Sequence, residues 1–276
     1  MRNLRRLRIL LAAFSLLALT AVFLDFTGTA AAWFGWTAKL QFWPSVLALS
    51  LASIVAILAC TLFCGRVYCS VVCPLGIFQD LLIFLRRLFG FRFSAEAEAP
   101  RARVLRECLR GGLAAIFLGG GFLGLHFQWL EPYAIYGRAA SILLAPLVRL
   151  GNNELAEWAE RHASYAFHAV EVVMPATSVI VVSAGALALI AVLAVWRGRL
   201  WCNAVCPVGT LLGYASKVSL TKPRIDVAKC VKCGLCARAC KAHAIDVANG
   251  RIDRSKCVAC FDCGAVCGKG ALTWTK

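Results

Sequence analysis

The sequence predicts an α-helical membrane protein with about four transmembrane helices in two pseudo-repeated halves, followed by a small α+β, cysteine-rich domain at the C-terminus. Three observations predict it. Hydrophobic residues make up 61% of the 276 and charged residues only 16%, with a mean hydropathy of +0.74. A globular domain is nearer half apolar and a quarter charged, so the surplus needs lipid as its solvent. The pattern of residues 65–76 recurs at 198–209. The 15 cysteines gather in tight runs beside apolar segments, a metal-binding pattern rather than the disulfide framework of a small secreted protein.

A spanning helix needs roughly 20 mostly apolar residues. Ile9–Phe26, Pro44–Phe63, Gly111–Leu130 and Val172–Trp196 meet that requirement. The first has a competing reading. Arg2, Arg5, Arg6 and Arg8 precede its apolar run and small residues follow at Thr29–Ala32, as in a secretory signal peptide; a retained span is the expectation here.

Charge gives the orientation. Residues 1–10, 64–110 and 197–276 together carry +18, residues 25–43 sum to zero, and residues 131–171 carry −2. Positive charge marks the cytoplasmic side, so both termini are expected inside. This accounts for the net +16 without nucleic acid as a partner. Between the spans, Leu75–Phe89 reads as an interfacial amphipathic helix and residues 90–110 as a mobile connection. Residues 131–171 read as an outer loop, helical over Glu154–Ala169, with Ser141–Leu150 on the membrane surface. The expected units are 1–63, 64–110, 111–196, 197–221 and 222–276.

The C-terminal unit carries the densest signal. Cys230, Cys233, Cys236 and Cys240 form C-x2-C-x2-C-x3-C, and Cys257, Cys260, Cys263 and Cys267 repeat it. Three closely spaced thiolates wrap three irons of a cubane, and the fourth iron takes its thiolate from the other motif. One [4Fe–4S] cluster is therefore assigned to Cys230, Cys233, Cys236 and Cys267. The second falls to Cys257, Cys260, Cys263 and Cys240. Zinc at four-cysteine sites is the competing reading. Ala244–Val247 and Ala271–Trp274 are short strand candidates. Residues 222–276 resemble the bacterial two-cluster ferredoxins, with one departure: where that family has proline after the fourth cysteine, this chain has Lys241 and Gly268.

The internal repeat carries a second cysteine set. Gly65-Arg66 through Cys69, Cys73, Pro74 and Gly76 matches Gly198-Arg199 through Cys202, Cys206, Pro207 and Gly209. Cysteines at i and i+4 share a helix face, and proline then redirects the chain. The expectation is that Cys69, Cys73, Cys202 and Cys206 converge on a third iron–sulfur cluster, with Arg66 and Arg199 offsetting its charge. The alternative is reduced structural or redox-active thiols. Cys60 and Cys64 lack counterparts in the second copy, and Cys108 reads as an ordinary buried or loop thiol.

The span layout, the paired GRxxCxxxCP copies and the doubled ferredoxin motif together resemble the NapH/NosR/CcoG-type membrane polyferredoxins. Members of that family are implicated in quinol oxidation for periplasmic nitrate reduction, in support of nitrous oxide reduction and in oxidase copper handling. The resemblance implies a multi-pass protein of the bacterial inner membrane, with its ferredoxin domain cytoplasmic. It also implies an electron-transfer subunit of a respiratory complex, possessing or feeding quinol dehydrogenase activity. Such a subunit exchanges electrons between the quinone pool and redox partners, either a periplasmic cytochrome or iron–sulfur protein or a cytoplasmic donor. His126 and Glu131, beside Trp129, Tyr133 and Tyr136, are candidates for a quinone site; the plainer reading of those aromatics is an interfacial belt. His162 and His168 fall in the outer loop, and His243 is expected on the surface. Two other function classes compete: a maturation factor that binds and reduces copper through the CxxxCP thiols, and a redox-sensing regulatory subunit.

Overall fold

The computed structural model of the chain describes residues 1–90, 100–122, 131–162, 164 and 166–275. Helix α1 (Arg2–Leu24) runs through a sequence with no glycine or proline and stops at Asp25. That carboxylate accepts from the backbone N–H groups of Thr27, Gly28 and Ala31 and so starts the next short helix, α2 (Thr29–Phe34). α3 (Trp36–Lys39) follows.

The predicted span Pro44–Phe63 is broken. Leu49 takes a left-handed φ of 49° and separates α4 (Phe42–Leu47) from α5 (Leu51–Cys64). The 14 residues of α5 rise only about 21 Å, short of a hydrocarbon core of about 30 Å. After α6 (Tyr68–Val71), α7 (Pro74–Leu88) is amphipathic as expected; it buries Leu75, Ile77 and Ile83 and exposes Leu81, Phe84 and Leu88.

α8 (Pro100–Phe122) corrects the mobile reading of residues 100–110, which are helical with Arg106 and Arg110 buried. Residues 123–130, with His126 and Trp129, lie outside the described residues, so the span expected at Gly111–Leu130 is described only in its first part. The outer loop is also corrected. α9 (Pro132–Ala139), a π-helical turn (Ala140–Leu144) and α10 (Ala145–Arg161) form one helical run. Pro146 brings no N–H to the ladder where the π turn closes. The run ends at Arg161, short of Ala169. α11 (Thr177–Arg197) carries no charged residue before Arg197.

Among the described residues, three helical stretches are long and apolar enough to cross a membrane: Arg2–Leu24, Pro132–Arg161 and Thr177–Arg197. The chain is thus mostly helical and membrane-embedded, and it ends in a small cysteine-rich unit. That end follows α12 (Leu200–Ala204) and α13 (Pro207–Lys217). It contains β1 (Lys222–Ile225), α14 (Leu235–Ala239), β2 (Ile245–Asp246), β3 (Arg251–Ile252), α15 (Asp262–Val266) and β4 (Leu272–Thr275). β1 pairs antiparallel with β4, with Ile225 opposite Leu272, and β2 pairs with β3, with Ile245 opposite Ile252. Both predicted strands are present, the first trimmed at both ends to Ile245–Asp246 and the second shifted by one residue to Leu272–Thr275. His243 is half-buried rather than on the surface.

Candidate functional site

Each copy of the repeat folds the same way, and not as one continuous helix. Gly65 and Gly198 take positive φ (77° and 66°), which turns the chain sharply after α5 and after α11. The first cysteine of each pair sits on a short helix, Cys69 on α6 and Cys202 on α12. The chain then breaks, with the Cys73 N–H bonded to the Tyr68 carbonyl and the Cys206 N–H to that of Trp201. The second cysteine is the N-cap of the following helix, whose first residue is the proline. Proline therefore opens a helix instead of ending one, because its fixed φ and missing N–H suit the first helical position. At Cys206 the sulfur itself accepts the Gly209 N–H at 3.3 Å.

The two copies interlock. The Arg66 guanidinium donates to the Cys202 carbonyl at 3.2 Å, and that of Arg199 donates to the Cys69 carbonyl at 2.6 Å. Both arginines are fully buried. Gly76 and Gly209 face the same carbonyls so closely that a Cβ at either would collide with them. The four thiols Cys69, Cys73, Cys202 and Cys206 are all buried. Burial pushes the Cys73 thiol well up, and the other three cysteines push it further. The sequence-predicted set is thus brought together.

The charge around this set is lopsided. Arg199 is balanced by Asp80 at 2.8 Å. Arg66 donates to Asn203 Oδ1, the Ser255 carbonyl and the Cys202 carbonyl, and lies 3.9 Å from Cys69 Sγ. It has no carboxylate partner among the described residues. A buried cation without an anion costs several kcal/mol, so the anion this site calls for belongs to the thiols. Gln79, also fully buried, has an unpartnered amide nitrogen while its oxygen lies 3.6 Å from Cys202 Sγ. The donor set of four thiols, a buried guanidinium and a spare amide suits an anionic iron–sulfur group.

In the C-terminal unit the eight cysteines line two separate cavities. One, of about 360 Å³, is lined by Cys230, Cys233, Cys236 and Cys267. The other, tighter at about 20 Å³, is lined by Cys240, Cys257, Cys260 and Cys263. This is the crossed partition expected of two interlocked cubanes. All fifteen cysteines are free, and among the described residues no three His, Cys, Asp or Glu side chains converge on a single-ion position. Each four-thiol set lines its own cavity. Gly234 supplies the left-handed φ of 74° that starts α14 after Cys233, and in the second motif Phe261 takes that role at 61°.

The tighter cage is docked onto the CxxxCP pair. Arg199 N–H donates to the Lys241 carbonyl at 2.9 Å, Asn203 to the Ala242 carbonyl at 3.3 Å and Arg66 to the Ser255 carbonyl at 2.6 Å. Cys69, Cys73 and Cys206 share one buried apolar cluster with Cys240, Cys260 and Val258. Lys241, the residue found where the family has proline, is buried between Asp80 (3.2 Å) and Asp262 (3.0 Å). Asp80 also pairs with Arg8, and Asp262 with Arg5 and Arg87. Burial alone would push Asp262 up; Lys241, Arg5 and Arg87 outweigh it and hold the carboxyl at about 2.

Sequence reading missed Gln79, Asp80, Asn203 and Asp262. Two polar residues side by side in the apolar stretch Leu75–Phe89 were the available signal. Cys60, Cys64 and Cys108 are exposed on helices, which corrects the buried or loop reading of Cys108. Glu131 is buried, and its carboxylate caps α9 by accepting from the N–H groups of Tyr133 and Ala134.

These features define a membrane iron–sulfur protein of the electron-transfer class. The pattern of the 4Fe-4S binding domain matches residues 46–92 and 178–226, which are the two repeat copies, and a second 4Fe-4S binding domain pattern matches 223–246. The chain is 30% identical over 199 residues to the ferredoxin-type protein NapH of Escherichia coli, covering 71% of this chain and 54% of that protein. It is 24% identical over 205 residues to the putative electron transport protein YccM of Escherichia coli (71% and 47%). It is 27% identical over 188 residues to the methylamine utilization ferredoxin-type protein MauN of Methylorubrum extorquens (67% and 50%). The chain is thus similar to the NapH-type polyferredoxins and spans about half the length of these relatives. No solved structure matches it.

Proposed function

We propose that the chain is a three-centre electron conduit exchanging electrons between the membrane quinone pool and redox partner proteins. Cys69, Cys73, Cys202 and Cys206 hold a cluster at the membrane face. Cys240, Cys257, Cys260 and Cys263 hold an inner cluster, and Cys230, Cys233, Cys236 and Cys267 an outer one. The observation that carries this reading is the crossed sorting of eight cysteines into two cavities, the inner of which abuts the buried CxxxCP set. A bound [4Fe–4S] cluster supplies one-electron chemistry without moving atoms. The chain's residues supply the rest. Arg66 and the Gln79 amide stabilise negative charge on the sulfurs, and Ala242, Ala244 and Val258 keep water from the inner cage.

We further read the side bearing the ferredoxin unit as cytoplasmic. Arg5 and Arg8 at the start of α1 and Arg199 just beyond the end of α11 meet that unit or its partners directly, which puts both helices' basic ends on one side. The span total and the unit boundaries 1–63, 64–110, 111–196, 197–221 and 222–276 belong to this proposal.

Iron and sulfide analysis with an EPR redox titration of the full chain, with and without quinol, tests it. The expected result is three clusters in the native chain and two in Cys69→Ser/Cys202→Ser, with quinol changing the redox state of at least one. Two clusters in both proteins, or stoichiometric copper in the native chain that the double variant lacks, overturns the CxxxCP assignment.

A further inference from the structure

We propose that the face around Cys233 is the docking site of a soluble, acidic redox protein. The inference rests on the reading of the outer cage as a cluster site and adds the partner that meets it. The two cages differ in exposure. Cys240 and Cys260 of the inner cage are buried against the membrane-embedded part, whereas Cys233 of the outer cage is exposed beside the larger cavity. The outer cage is therefore the end of the conduit that a second protein can approach.

Charge selects the kind of protein. Residues 227–240 and 263–275, which carry the outer ligands, contain Lys229, Lys232, Arg238 and Lys269 and no acidic residue. Lys229 and Lys269 line the outer cavity, and Lys232 sits between two ligands and is exposed. The neighbouring acid is Asp226, which pairs with Lys229 at 3.3 Å. Around the inner cage, in contrast, Asp80 and Asp262 balance the buried cations. Among the outer lysines stand the exposed apolar side chains Val227 and Val231, 67% and 63% accessible. A cationic ring around small apolar anchors and a near-surface redox site fits a transient interface steered by a negative partner. In the encounter one electron leaves the partner's reduced centre, oxidising it by one, and enters the outer cage, or travels in reverse; no proton or bond changes hands.

The test uses the full chain in nanodiscs of zwitterionic lipid, an acidic [2Fe–2S] ferredoxin as probe partner, and photoreduced 5-deazariboflavin as a small neutral reductant. Stopped-flow reduction by the reduced ferredoxin, and binding of the oxidised ferredoxin by surface plasmon resonance, are compared at low and high salt. Lys229→Glu/Lys232→Glu/Lys269→Glu is expected to slow reduction and weaken binding by about tenfold or more at low salt. Salt should erase the difference, and deazariboflavin reduction should be unchanged. Arg224→Glu/Arg251→Glu, exposed and lining a separate cavity that holds none of the outer ligands, should stay within about twofold. Equal rates in the triple variant and the native chain, or equal slowing in the Arg224/Arg251 control, overturns the docking proposal. So does a lysine effect that appears only when the nanodiscs contain anionic lipid, which assigns the lysines to headgroups. If deazariboflavin elicits no iron–sulfur signal from the native chain, the electron-transfer reading itself fails.

Discussion

The Lys241 ammonium lies 3.0 Å from the Asp262 carboxylate, and both groups are buried. With Asp80 on its other side, Lys241 joins α7, the second ferredoxin motif and, through their shared carboxylates, the start of α1. Lys241→Met takes the common cation from two buried carboxylates, but Asp80 keeps Arg8 and Arg199 and Asp262 keeps Arg5 and Arg87, so the loss is about 1–3 kcal/mol, below that of a stranded buried charge. The expected outcome is earlier loss of the visible iron–sulfur absorbance on heating, with Lys241→Arg recovering part of it. Native thermal stability in Lys241→Met would rule out the keystone role.

Arg66 makes its bonds to both the opposite repeat and the ferredoxin unit. Arg66→Met removes the buried cation and strands Asn203 Oδ1 and the Ser255 and Cys202 carbonyls, each at about 1–3 kcal/mol. Iron per chain should fall by about a third, the share of one cubane in three. Arg66→Lys should retain more iron, since it keeps charge without the fork. Full iron occupancy in Arg66→Met would count against a cluster at the CxxxCP set.

Gly76→Ala and Gly209→Ala drive a Cβ into the Cys69 and Cys202 carbonyls. Because backbone must move, each should destabilise by about 1–3 kcal/mol. Gly185→Ala, in α11 with nothing within 4 Å of the new carbon, should be neutral or gain up to about 1 kcal/mol. Detergent-solubilised thermal melts of the three variants give the comparison.

Glu131→Ala removes the α9 cap and should cost about 0.5–2 kcal/mol. Glu131→Asp keeps a cap oxygen. If capping is its whole contribution, quinol-linked electron transfer in Glu131→Asp will match the native rate. A large loss there, with stability retained, would give Glu131 a proton-handling role.

The C-terminal cysteines were legible from the sequence because their chelation is local. Spacing alone allots three thiols to each cage, and the fourth crosses by rule. The repeat was legible too, since seven of its positions recur. Its local geometry was not. An i, i+4 pair reads as one helix face, yet Trp201 and Tyr68 each accept an extra N–H that ends the first turn before the second cysteine. The break at Leu49 carries no glycine or proline to announce it, so Pro44–Phe63 reads as continuous. The ion pairs of Asp80 and Asp262 join residues up to 257 positions apart, and no periodicity encodes such a meeting.

The crossed arginine bonds have the form of a twofold contact between two identical proteins: a residue of one reaches a site on the other, and the favour is returned. Two copies of a single half could in principle satisfy the same bonds by pairing. A chain severed in the connection between α7 and α8 should on that account reassemble when both pieces are made in one cell.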